Sequence, residues 1–216
     1  MSPLGSDGKT SVAVITGDHA FDVPNFHALF RAMPSVHAYI QPMQDFVDDA
    51  GRVAADYDVV LFYNFHQTTP AEGSRELAAL QGIVERGQGL LVLHHAVLAY
   101  LKWPWWADVV GVQERGFGFD HGQTLDVDVL DRDHAITAGL EPWTMIDETY
   151  SMDSCGDDSH ALLATDHELS MKTLAWTRQV GDSRVFCLQS GHDNDTWKEP
   201  AFRRVVEQGI AWCAAS

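Results

Sequence analysis

The segment GLLVLHHA, Gly89 to Ala96, sets an unbroken apolar run directly against two histidines. Four successive apolar residues suit a strand covered on both faces, the situation of a strand inside a parallel α/β sheet. In such sheets the functional crevice lies beyond the carboxyl ends of the strands. His94 and His95 stand at such an end. His95 is read as a packed, hydrogen-bonded core histidine and His94 as the candidate functional group.

The neighbouring segments repeat the pattern. SVAVITG (Ser11 to Gly17) reads as a first buried strand, VHAYIQ as a second and YDVVLFYN as a third. A short helix is expected from Asn25 to Met33, ended by Pro34. Another is expected between Gly73 and Gln88, where Leu77, Leu80, Ile83 and Val84 share one face. This β-α-β-α rhythm predicts a doubly wound α/β sheet with right-handed crossovers. After Gly111 the rhythm changes: TLDVDVLD alternates polar and apolar residues, and a GDS turn separates TLAWTRQV from SRVFCLQS. Antiparallel additions to the sheet are expected there. Phe202, Val205, Val206, Gly209, Ile210 and Cys213 recur at helical spacing, predicting a C-terminal amphipathic helix. No linker or repeat divides the 216 residues, so one domain is expected over 11–216, behind a loose tail over 1–10.

Fourteen basic against thirty-one acidic residues give a formal charge of −17. Such a charge repels phosphate backbones and anionic bilayers, so no nucleic-acid or membrane partner is expected. No apolar run approaches the ~20 residues of a membrane span, and no leader pattern opens the chain; a cytoplasmic location is expected. Cys155, Cys187 and Cys213 are odd in number and widely spaced, which points neither to a disulfide framework nor to a thiolate zinc site.

Eleven histidines are many for this length. His19, His66, His94, His121 (in GFDHGQ) and His192 (in SGHD) fall in loops at strand ends, and IDETY adds Asp147 and Glu148. Imidazoles and carboxylates of this kind serve acid/base chemistry or hold a divalent cation. No H-E-x-x-H or other tight ligand spacing decides between the two. In KWPWWADVVG, Trp103, Trp105 and Trp106 are read either as packing residues or as a face on which a sugar ring stacks. Exposed aromatics of this kind fit a homodimer.

Taken in order, GLLVLHHA, WPWW, VVG, DHGQTLDVDVLDRDHAITAGL, DETY, LAWTRQVGDSRVFCLQSGHDNDTW and FRRVVEQGIAWCA resemble the trehalose-utilization (ThuA-like) family, from about Val12 to Ala214. The resemblance implies a flavodoxin-like, class I glutamine amidotransferase-like fold. In those amidotransferases the turn matching His94 carries a nucleophilic cysteine. No cysteine of this chain falls there, and imidazole does not replace a thiolate attacking an amide, so glutaminase activity is not expected. QSGHD resembles the segment supplying the amidotransferase base, which implies that His192 faces His94.

The resemblance further implies carbohydrate catabolism beside a sugar oxidoreductase, with 3-keto sugars as intermediates, and enolisation leading to glycosidic cleavage or isomerisation. On this reading His94, His121 and His192 are metal ligands (zinc or manganese) or acid/base groups, and Glu148 is a ligand or proton acceptor. Asp147 and Tyr150 orient them, and Trp105 and His19 line the sugar site. His134 is read as a turn residue, and His27, His37, His160 and His167 as surface or packing residues. A non-catalytic sugar-binding or regulatory protein, and a metal-dependent hydrolase of another small polar substrate, remain as alternatives.

Overall fold

Alternate residues of each apolar run pack on opposite faces of one sheet. Val12, Val14, Val59, Leu61, Leu91 and Leu93 belong to one core cluster. Ala13, Ile15, Val60, Phe62, Leu90 and Val92 belong to the other. This two-sided burial is what makes the runs continuous rather than alternating.

The computed structural model describes residues 8–215. In chain order the elements are β1 (Thr10–Gly17), α1 (Val23–Arg31), β2 (Val36–Pro42), α2 (Met43–Asp49), β3 (Val59–Asn64), α3 (Arg75–Glu85), β4 (Gly89–Leu93), α4 (Pro104–Val110), β5 (Gly118–Val129), β6 (Trp143–Ser151), β7 (His160–Ala164), β8 (Thr173–Val180), β9 (Ser183–Leu188), α5 (Asn194–Trp197) and α6 (Pro200–Ala214). The nine strands form one sheet in the order β2-β1-β3-β4-β9-β8-β7-β5-β6. Pairing is parallel from β2 across to β9 and antiparallel from β9 onward. Helices α1 and α6 cover one face, and α2, α3 and α4 the other. The result is a doubly wound α/β sheet of flavodoxin-like order with antiparallel additions from the second half of the chain.

Several expectations are corrected. β1 already includes Thr10, so the expected tail does not reach residue 10; residues 1–7 lie outside the described part. α1 starts at Val23 because Asp22 caps it, accepting the Asn25 N–H, and Pro24 occupies its first turn. The unforeseen α2 buries Met43, Phe46 and Val47. After β4 the chain makes a 3-10 turn over His94–Leu98, and α4 begins at Pro104.

The topology sets the site. β1, β3, β4 and β9 point their carboxyl ends to one edge. β6 runs the same way after four antiparallel steps from β9, so Glu148 and Tyr150 arrive at that edge. Antiparallel β5 brings its start there, with Phe119 and His121.

Candidate active site

β4 ends at Leu93, and the next residue takes a left-handed backbone: His94 has φ 53°. A non-glycine residue in this region is strained, and such strain persists only where surrounding contacts over-determine it. Here the imidazole supplies them. Its Nδ1 lies 2.7 Å from the Gln189 carbonyl at the end of β9, and a carbonyl only accepts, so Nδ1 carries the proton. Nε2 is left as the acceptor and lies 2.8 Å from the Tyr150 hydroxyl, which donates to it. The ring also stacks on Tyr150 with centroids 5.0 Å apart. Burial, followed by neighbouring His95, holds the His94 imidazole well below its ordinary basicity. Burial, followed by the Glu148 carboxylate, holds the Tyr150 phenol well above its ordinary range. Both groups are therefore neutral near pH 7.

His192 is delivered by a loop that Asp147 holds. The Asp147 carboxylate accepts the N–H groups of Gly191 at 2.8 Å, His192 at 3.0 Å and Glu148 at 2.8 Å. From the other side the Trp197 indole donates to the Gly191 carbonyl and the Tyr63 hydroxyl to that of His192. Burial pushes the Asp147 carboxyl up to about 6, against the pull of these N–H donors. His192 Nδ1 then lies 3.2 Å from His94 Nε2 and 3.1 Å from Glu148 Oε2. His121 comes from the opposite direction. The pairing of β5 with β6 shifts register between Asp120 and Gln123, and Gly122 has φ 65°. A bulge of this kind re-aims a side chain, and His121 Nδ1 stands 2.7 Å from Glu148 Oε2.

Glu148 is thus the centre of the cluster. Its Oε2 receives His121 and His192, and its Oε1 lies 3.8 Å from His94 Nε2. The ligand atoms of His94, Glu148 and His192 all lie within 4.8 Å of one another, and no other such trio occurs among the described residues. Two imidazoles and a carboxylate suit zinc or manganese. The anchoring of His94 Nδ1 on a backbone carbonyl is how metal-bound histidines are commonly oriented. Of the expected His94, His121 and His192, the compact group holds His94 and His192 together with Glu148, itself expected as a possible ligand; His121 bonds to Oε2 of that carboxylate.

A hollow of about 230 Å³ adjoins the cluster. Its polar lining is His19, His95, His121, Glu148 and Tyr150; its apolar lining is Phe65, Leu98, Phe117 and Phe119. One further expectation is corrected here. Trp105 is not in this lining. It packs on Trp103 and Trp106, at ring separations of 4.6 and 6.1 Å, because α4 seats it against the core cluster shared with α2 and α3. Asp147, expected as an orienting and substrate-binding residue, holds the His192 loop through backbone N–H groups and lies outside the lining. His95, read as a hydrogen-bonded core residue, is buried against the Tyr63 backbone, a polar contact that falls outside full hydrogen-bond geometry. It stacks on His19 at 4.2 Å and tilts on Tyr63 at 4.3 Å. Burial, then His19, pushes it down to about 3. Sequence reasoning missed His95, Phe65, Phe117 and Phe119 as lining residues; the doubled histidine and the GFGF spacing were the available signals.

A family model described as ThuA, trehalose utilisation, matches residues 21–213. The chain belongs to the ThuA family. Among solved structures it is similar to a ThuA-like protein from Parabacteroides merdae, with a TM-score of 0.76 at 19% identity, covering 96% of this chain and 90% of that one. A ThuA-like protein from Bacteroides uniformis gives 0.71 at 15% identity, covering 97% and 93%. The fold extends beyond the ThuA family, to a protein described as a GMP synthase subunit from Thermoplasma acidophilum, at 0.55 and 12% identity over 96% and 95%. At these identities the likeness concerns the fold, which is the amidotransferase-like one. No curated protein sequence matches the chain. ThuA membership supports a carbohydrate-related role. Among the described residues, no helix is long and apolar enough to cross a membrane.

Proposed function

We propose that this ThuA protein is a carbohydrate-processing enzyme that enolises an oxidised, 3-keto sugar or glycoside. The observation that carries the reading is the convergence of His94, His192 and His121 on Glu148 at one wall of a hollow sized for a single ring. The elbow bears an imidazole in place of a thiol, so amide transfer from glutamine does not fit it.

A ketone at C3 acidifies the hydrogen on C2. His121 donates its Nδ1 proton to Glu148, so the neutral ring keeps a bare Nε2 at the rim of the hollow, and this nitrogen takes the C2 proton. The electron pair of the broken C–H bond forms the C2–C3 double bond, and the negative charge appears on the C3 oxygen. Tyr150, kept protonated by its burial, is the O–H donor on the same wall once its proton turns from His94 Nε2 to that oxygen. His94, His192 and Glu148 would hold a divalent cation, zinc or manganese, which when bound supplies positive charge for an oxyanion. The enolate then expels the substituent at C1 as its alcohol, protonated by the His121 imidazolium. Water adding across the resulting C1–C2 double bond completes a net hydrolysis; reprotonation of C2 from the other face gives isomerisation instead. A sugar oxidoreductase is the partner activity that would supply the ketone.

Incubation with a 3-keto-glucoside in D2O, followed by NMR, tests the reading. Loss of the C2 proton signal is expected, with no change in the parent glucoside. Turnover of the parent glucoside without exchange in the ketone would overturn it. Elemental analysis before and after chelation reads the cation directly, and a stoichiometric divalent metal is expected.

A further inference from the structure

We propose that Phe117 and Phe119 form a leaving-group subsite for a flat apolar aglycone, so that the preferred substrate is an aryl-type glycoside rather than a disaccharide. The proposal rests on the hollow being the sugar site.

Three phenylalanines form an arc from the interior to the surface. Phe65 meets Phe117 edge-on at 6.4 Å, and Phe117 meets Phe119 at 6.4 Å with the rings inclined at 39°. The arc is tied to the reacting groups at two places: Phe117 lies edge-on to Tyr150 at 5.7 Å, and Phe119 to His121 at 5.3 Å. Its outer ring, Phe119, is 55% exposed. Its position is set by pairing with Tyr150 across β5 and β6, immediately before the bulge that aims His121.

Size places the leaving group on this arc. A hollow of about 230 Å³ is smaller than the roughly 300–1,000 Å³ of pockets enclosing drug-sized ligands, so it accepts one ring and leaves the second part of a glycoside at the mouth. The mouth is where His121 and Phe119 stand together. His121 is also the group that returns the proton to the departing oxygen, so the aglycone must pass beside Phe119. Chemistry then selects the class. Phenylalanine offers no hydrogen-bonding atom, so a second sugar seated there would gain no polar contact from the arc, whereas a flat apolar group removes its whole face from water against it. Among the described residues lining the hollow there is no Lys or Arg, which removes the usual partners of a phosphorylated sugar.

Calorimetric binding of phenyl and methyl glucosides of the same anomeric form tests this without requiring chemistry. The wild-type protein is expected to bind the phenyl glucoside about tenfold more tightly. Phe119→Ala is expected to lose most of that preference and Phe119→Trp to keep it; as an exposed residue, Phe119 can be changed without disturbing the core. Equal affinities, no measurable binding of either glucoside, or a preference untouched in Phe119→Ala would overturn the subsite, as would tighter binding of trehalose than of phenyl glucoside. A phenyl preference without C2 exchange in the 3-keto-glucoside would leave the subsite standing and remove the enolisation reading. Exchange without the preference would do the reverse.

Discussion

His94 and His121 reach the same carboxylate from opposite extremes of the fold. His94 is fully buried on a left-handed elbow between central parallel strands, with one nitrogen bonded to a carbonyl and the other to a phenol. His121 is 59% exposed on a bulged strand beside the edge of the sheet, with a single ion-pair partner. The parallel half of the sheet thus supplies a rigid imidazole of fixed tautomer, with its strain offset by packing. The antiparallel half supplies a solvent-facing imidazole that meets a substrate as it enters. A site built this way separates holding from proton transfer, and the two histidines should fail differently when changed.

The largest effect is expected at the elbow. His94→Ala removes the imidazole but keeps a Cβ in the left-handed region, whereas His94→Gly removes both. Both variants should lose turnover on the order of a thousandfold or more, and the glycine variant should be the more stable by about 1 kcal/mol in chemical denaturation. If the alanine variant proves equally stable, the elbow is not strained and the contrast with His121 loses its basis.

His121→Gln should separate the two roles. The glutamine amide still donates to Glu148 but has no basic nitrogen, so turnover should fall by roughly 10²–10⁴-fold. Stability should change by no more than about 0.5 kcal/mol, as for most exposed positions. Metal content is the sharper reading: it should be retained in His121→Gln and lost in His192→Ala. Loss of metal from the His121 variant would make His121 a ligand and erase the division of labour.

The same division decides what is legible in the sequence. VVLFYN and GLLVL are apolar throughout because both faces of β3 and β4 are covered, so the parallel half and its elbow can be read from pattern alone. The start of β5 cannot. Over residues 118–123 the bulge breaks the period-two alternation on which strand reading depends, so the short GFGF spacing alone hints at Phe117 and Phe119 as lining, while the hydrophobic weight of WPWW points to Trp105 instead. That tryptophan is taken up by the core that α4 shares with α2 and α3, a fact of topology rather than of composition. Spacing does not show Glu148 as the meeting point, since its partners lie far apart in the chain and join only when antiparallel β6 is laid beside β5. His95 escapes for a related reason: its apolar neighbourhood is visible in the sequence, but its place in the wall of the hollow is not.

His95 provides the smallest of the expected effects and locates acid sensitivity in the buried half. Its imidazole titrates at about 3 in the folded protein, against an ordinary value of 6.5. As pH falls below 6.5 the unfolded chain gains a proton that the folded chain refuses. The stability tied to this group is therefore complete above about 6.5 and is lost progressively down to about 3. Between pH 7 and pH 5 the loss amounts to roughly 2 kcal/mol. His95→Phe keeps the ring that stacks on His19 and Tyr63 and removes the titration, so its stability should fall less over the same interval, by about that amount. Urea midpoints at the two pH values, with a chelator present so that no cation bound at His94 contributes, read the difference. His94 and His19 are also held below their ordinary basicity by burial and remain in the variant, so some acid sensitivity persists. Parallel pH curves for wild type and variant would show that His95 is charged or hydrated in the folded protein, and would move it from the rigid side of the comparison to the side of His121.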